Sequence, residues 1–218
     1  MSKYSLYLYA DRLAAKAVLP GGLPAGNRVL YVRDGSATLH CAGQAMTLAP
    51  NSAWCARTAC EVLAGASGAQ ILRWELGSQG LVAAGEGVRS QLLQQSGFDL
   101  HAPDGLLLRC DRVDFPPGGI AYTHTHQGPG IRCLLEGQLT VAAAGESTTI
   151  VPGGAWFESG SDPVLARASN ESPTGFVRVM VLPRSLKGKS SIRYVNPEDQ
   201  QKPKPQRYQI FVDEFIDI

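Results

Sequence analysis

Apolar positions along this chain fall in short runs of strand length, separated by glycine, proline or charged turns. Arg28-Val29-Leu30-Tyr31-Val32-Arg33 and Ile131-Arg132-Cys133-Leu134-Leu135 are two such runs. Each ends at a turn, Asp34-Gly35 or Glu136-Gly137, of the kind that suits a tight hairpin needing positive φ. A second turn is expected at Ala42-Gly43 and again at Ala144-Gly145. A short strand ending at proline, a tryptophan strand and a Val-Leu-Ala strand follow in both places. Short strands at regular spacing between Gly/Pro turns predict a β-sandwich or barrel. One stretch reads differently: over residues 85–97, Val88 and Leu92 share a helical face and Gly97 is a plausible terminator, which predicts a short connecting helix.

The pattern also repeats. Shifted by 102 positions, residues 35–67 fall on 137–169 without a gap. Gly35/Gly137, Gly43/Gly145, Pro50/Pro152 and Trp54/Trp156 coincide, as do Val62/Val164 and Leu63/Leu165. Two glycine turns, a proline and a tryptophan in one register imply two copies of one unit. The expected fold class is therefore all-β, with two tandem barrels. The expected segments are 1–82 for the first barrel, 83–105 for the connector with its helix, 106–184 for the second barrel, and 185–218 for an extended arm. That arm contains Lys202-Pro203-Lys204-Pro205 and returns to strand character over 208–216, where an apolar strand is expected to dock on its own barrel or a neighbour's.

Composition removes several function classes. A net charge of +1, with no basic patch interleaved with aromatics, provides no field for nucleic acid or an anionic membrane. No apolar run reaches a membrane span, and the polar-interrupted Met1–Tyr9 stretch does not resemble a signal peptide. The five cysteines are odd in number and share no ligand-pair spacing, which fits reduced thiols in a cytoplasmic protein.

Chemistry concentrates in the second copy, in Tyr122-Thr123-His124-Thr125-His126. On a strand, residues two apart share a face, so His124 and His126 should project side by side, roughly 6–7 Å apart at their α-carbons. Two imidazoles so placed can converge on one metal ion. Tyr122 should share their face and could move a proton at the site's edge.

Gly118, five residues, His124-Thr125-His126 and then Gly137 resemble the first sequence motif of the cupins, and Gly153 stands where their second motif begins. The resemblance covers about residues 26–183. It implies a bicupin of two double-stranded β-helix (jelly-roll) barrels, with a metal inside the second. The chain departs from the family at Gly130, where the motif has Glu, and at Ser159, Ser161 and Val164, where it has Pro, Gly and His. Two of the family's four ligands are thus absent, and two imidazoles alone make a weak divalent site. Glu158 is the best candidate to complete a two-His-one-carboxylate set for Fe, Zn, Mn or Ni, and could also transfer protons. Arg132 shares parity with position 130 and could meet an anionic substrate group such as a carboxylate. Trp156 is expected either as a core anchor or as a substrate-stacking residue. In the first copy Gly22, Pro24 and Ala56 stand at the positions of His124, His126 and Glu158, so that barrel is expected to be structural. The expected function is a metal-dependent enzyme of dioxygenase, isomerase or lyase type acting on a small polar or carboxylated molecule. The alternative is a non-catalytic binding or sensing module. Open sheet edges and the terminal strand lead us to expect a homodimer.

Overall fold

The computed structural model describes residues 2–77 and 82–217. Among them the regular structure is all β, apart from two 3-10 turns at Arg184–Leu186 and Pro197–Gln200. The chain divides into two compact units between Asp99 and Leu100. No helix among the described residues is long and apolar enough to cross a membrane. All five cysteines are free thiols.

The first unit contains β1 (Ser2–Leu13), β2 (Asn27–Cys41), β3 (Gln44–Leu48), β4 (Ser52–Ala56), β5 (Cys60–Leu76), β6 (Ala84–Gly85) and β7 (Val88–Leu100). They pair in the order β3-β2-β5-β1-β7-β6, with β4 also on β2. Ala42-Gly43 makes the expected tight turn, with φ of 49° and 77° between Cys41 and its partner Gln44. Asp34-Gly35 does not make a hairpin: both residues lie inside β2, and the β2–β5 register slips on either side of them. There the ladder bends. An added Cβ at Gly35, whose φ is 71°, would meet the Gly68 carbonyl oxygen at 2.1 Å, so the bend needs glycine. Leu19, Leu23, Leu30, Leu39, Val62 and Ile71 build the core, and Trp54 packs on it.

The helix expected over 85–97 is absent. Gly85 pairs with Val88 across a two-residue Glu86-Gly87 turn, and β7 runs beside β1. Gln and Leu have good helix propensity, but pairing along an existing strand edge outweighs that preference. Val88 and Ser90 are buried while Arg89 and Gln91 are exposed, a period of two.

The second unit contains β8 (Leu106–Phe115), β9 (Ile120–His126), β10 (Gly130–Glu136), β11 (Leu139–Ala143), β12 (Glu146–Ile150), β13 (Ala155–Glu158), β14 (Val164–Ala168), β15 (Thr174–Pro183), β16 (Ile192–Tyr194) and β17 (Arg207–Ile216). These form two five-stranded sheets, β13-β10-β15-β8-β17 and β12-β11-β14-β9-β16. The turn at Ala144-Gly145 repeats the one at Ala42-Gly43, and Gly137 marks the corner between β10 and β11. An apolar core of Val113, Phe115, Leu134, Leu139, Val164 and Phe176 fills part of the interior, with Trp156 packed on it. Beyond residue 184 the chain does not hang free. The expected terminal strand is β17, which runs antiparallel along β8 of the same unit and buries Val212 and Ile216.

Candidate functional site

The polar part of the second interior is built on β9. Its pairing with β14 shifts register: Val164 lies opposite His124 and Ala166 opposite Ala121, so two steps on β14 match three on β9. This β-bulge changes the parity of the strand. Ala121, His124 and His126 are buried and Tyr122 is only half-buried, so Tyr122 does not share the histidines' face as expected. Its ring lies 4.9 Å from the Lys202 ammonium, and its carbonyl oxygen is 2.7 Å from His124 Nδ1.

The two imidazoles do come together, with ring centroids 4.9 Å apart and planes at 85°. A carbonyl only accepts, so His124 carries its proton on Nδ1 and leaves Nε2 as a lone pair. At His126, Nε2 lies 3.3 Å from Arg178 Nη1, which only donates, and Nδ1 lies 3.2 Å from Ser191 Oγ. The same tautomer follows. Burial lowers both imidazoles below their ordinary value, and the nearby Arg178 and Arg132 add to that depression. Both rings are neutral at pH 7.

Two guanidiniums face them. Arg178 holds Asp111, its direct partner on β8, through Nε at 2.7 Å and Nη2 at 3.2 Å. Arg132, the β10 partner of Arg178, has no exposed surface and points inward. Its Nη1 donates to the Gly130 carbonyl at 2.6 Å, and Nη2 sits 2.6 Å from Glu158 Oε2. That ion contact is not aligned as a hydrogen bond, and Nε lacks an acceptor as well. Burial pushes the Arg132 guanidinium down to about 10, with Glu158 opposing the shift. Trp156 Nε1 donates to Glu158 Oε1 at 2.9 Å, so the tryptophan is a core residue that also orients the carboxylate.

Glu158 lies directly opposite Gly130 across the β10–β13 ladder, so the carboxylate stands beside the position where the motif would carry one. Its Oε2 is 3.7 Å from His126 Nε2. Two imidazoles and a carboxylate are suitable donors in kind for a divalent ion. In this arrangement they are already engaged, His126 Nε2 by Arg178 and Glu158 by Arg132. A dication at about 2.0–2.2 Å from those donors would sit against two buried guanidiniums. Among the described residues no three His, Cys, Asp or Glu side chains are grouped to hold a metal. The residues as placed do not fit the expected metal centre. In the first unit, Ala56 holds the position equivalent to Glu158 and is part of the apolar core.

Beside this cluster a cavity of about 450 Å³ opens between β16 and β17, the edge strands of the two sheets. Arg178 and Asp111 line it together with Arg109, Lys189, Lys204, Tyr194 and Tyr208. Burial raises the phenol of Tyr208 above its ordinary value. None of these residues stood out in the sequence. Arg178 could have been suspected, because it interrupts the otherwise apolar strand β15. The cavity lining after residue 188 gave no signal, since it depends on where the C-terminal segment docks.

No family model matches the chain, and no curated protein sequence does either. Solved structures do match. An oxalate decarboxylase from B. subtilis is 12% identical over 90% of this chain and 73% of its own, with a TM-score of 0.64. Salicylate 1,2-dioxygenase from Pseudaminobacter salicylatoxidans is 12% identical over 94% and 75%, with a TM-score of 0.58. A cupin 2 conserved barrel domain protein from Leptotrichia buccalis is 14% identical over 83% and 85%, with a TM-score of 0.50. The fold is that of the cupins. Some proteins sharing the cupin fold are enzymes by name, at identities that carry the fold alone. Val164 lies directly opposite His124 on the neighbouring strand.

Proposed function

We propose that this chain is a bicupin whose C-terminal barrel binds a small organic anion, such as a carboxylate, in the cavity between β16 and β17. The observation that carries this reading is the charge of the lining: Arg109, Arg178, Lys189 and Lys204 against two carboxylates, Asp111 on Arg178 and Asp213 behind Arg109. The volume suits a small molecule. Arg178 uses three of its five N–H groups on Asp111 and His126, which leaves two for a ligand. Ile192, Ile210, Tyr194 and Tyr208 offer apolar and aromatic surface to the organic part of that ligand. The five free thiols favour the cytoplasm as its compartment, and the sheet edges favour a homodimer.

Thermal-shift titration with a panel of small mono- and dicarboxylates tests the reading. A binder at a hundred times its Kd stabilises by about 2.7 kcal/mol. Arg178→Lys keeps the charge but loses the fork geometry, and should weaken that binder about tenfold or more. If no carboxylate shifts the melting transition, or if Arg178→Lys binds as well as the parent, the proposal fails.

A metal-dependent enzyme is the second reading, favoured by the placement of Glu158 opposite Gly130 and by the two Nδ1 atoms held from behind. It requires Arg178 and Arg132 to leave their present partners. Stoichiometric Fe, Zn, Mn or Ni in untagged protein, lost in His124→Ala, would establish it.

A further inference from the structure

The first unit holds a pair of groups that the anion site does not use. Cys41 is the last residue of β2 and Cys60 the first of β5, and the two are direct register partners. The Cys60 N–H donates to Leu23 O at 2.9 Å and its C=O accepts from Leu23 N at 2.7 Å, so both backbone groups point away from Cys41. The pair therefore occupies a non-hydrogen-bonded position of the ladder, where α-carbons stand about 4.5 Å apart. That lies within the roughly 4.4–6.8 Å range a disulfide can span. Both thiols are buried.

We propose that Cys41 and Cys60 are a redox-active dithiol that closes to a cross-strand disulfide when the protein meets a peroxide. The position in the ladder makes this feasible without moving the sheet. Both residues sit at the end of their strand pair, next to the Ala42-Gly43 turn, so local fraying can admit a small oxidant. Cys60 also lies in the wall of an open groove formed with residues 18–24 and His40. An oxidant entering that groove meets Cys60 first, because Cys60 and not Cys41 lines it. The Cys60 sulfur attacks the peroxide: an S–O bond forms, the O–O bond breaks, and water leaves. The Cys41 sulfur then displaces the oxygen of that sulfenic acid, forming the S–S bond and releasing a second water. Two electrons and two thiol protons pass to the peroxide in all. The closed form staples the 42–59 segment, which carries β3 and β4, to the long β2–β5 ladder.

The test uses the full chain, oxidised with hydrogen peroxide under native conditions, alkylated, and digested without reductant for mass spectrometry. The expected product joins the Cys41 and Cys60 peptides, is lost on reduction, and accompanies a rise in melting temperature of roughly 10 °C. Cys41→Ser should remove both signals, and Cys55→Ser should keep both. Should Cys41→Ser not fold, mapping the link in the parent protein still decides the matter. A Cys60 that over-oxidises without a link, a link to Cys55 instead, or a Cys41–Cys60 link only in urea would overturn the proposal.

Discussion

Arg132 remains charged without any exposed surface because Glu158 lies against it, and Glu158 is in turn held by the Trp156 indole. Removing one member of such a pair leaves an uncompensated charge in a dry interior. Glu158→Gln should therefore cost about 3–5 kcal/mol in urea denaturation, whereas the double variant Arg132→Met/Glu158→Gln should recover most of it. Equal losses in the two would show that the pair is not coupled. The imidazoles give a second residue-level expectation. Both are depressed by burial and face Arg178, Arg132 and, for His124, Glu158, so the unfolded chain takes up their protons first. Their contribution to stability is complete above the ordinary histidine value of 6.5 and is lost as pH falls below it towards the folded values. Stability in denaturant titrations should therefore fall between pH 7 and 5.5, with a shallower slope in His126→Gln. A flat profile would mean that the rings protonate inside the barrel. At this scale the histidine pair and Glu158 stood out as candidates in the sequence, while Arg132 was equally open to an inward or a surface position. The sequence could not reveal that arginines would occupy the same lone pairs, because that depends on Arg132, Arg178 and Asp111 sharing one level of the sheet.

Among elements, the repeated turns were legible because Ala-Gly at a two-residue loop has few alternatives. The bulge in β9 was not, since nothing in Ile120-Ala121-Tyr122-Thr123 marks an extra residue, and the error carried Tyr122 to the wrong face. The connector misled for a related reason: a Leu/Gln-rich stretch follows whichever partner it finds, and it found β1. At Gly130 the constraint is steric. A Cβ there would lie 2.5 Å from Val179 O and 2.9 Å from Met180 Cγ, so β10 has no room for the carboxylate that the motif would supply. Gly130→Ala should destabilise by about 1–3 kcal/mol in denaturant titration. A neutral result would show that β15 can give way. β17 is tied to the loop that lines the cavity. Asp213 takes Arg109 Nε at 2.9 Å and the Gly188 N–H at 2.7 Å, while Arg109 reaches the carbonyls of Leu186 and Lys189. Asp213→Asn should loosen the 186–189 segment and weaken ligand binding several-fold, a change that calorimetry would detect.

For the whole molecule, a doubled sequence has produced two units with different interiors. Where the second places Glu158, the first places Ala56 in an apolar core, and the charges the first unit buries are a different set, Asp11, Arg28, Arg73 and Glu75. Chelator treatment followed by dialysis should leave the melting temperature unchanged if the arginines hold the site as described. A drop of several degrees, reversed by one metal, would favour the enzyme reading. The cavity also depends on the order of synthesis. Lys189, Tyr194, Lys204 and Tyr208 all follow the last strand of the repeated unit, so the ribosome supplies them after both barrels have been translated. A nascent chain halted near residue 185 would hold nearly every strand of its β-sheets yet have one side of the cavity missing. Under the proposed function, affinity for an anion would then report that translation had run past that point.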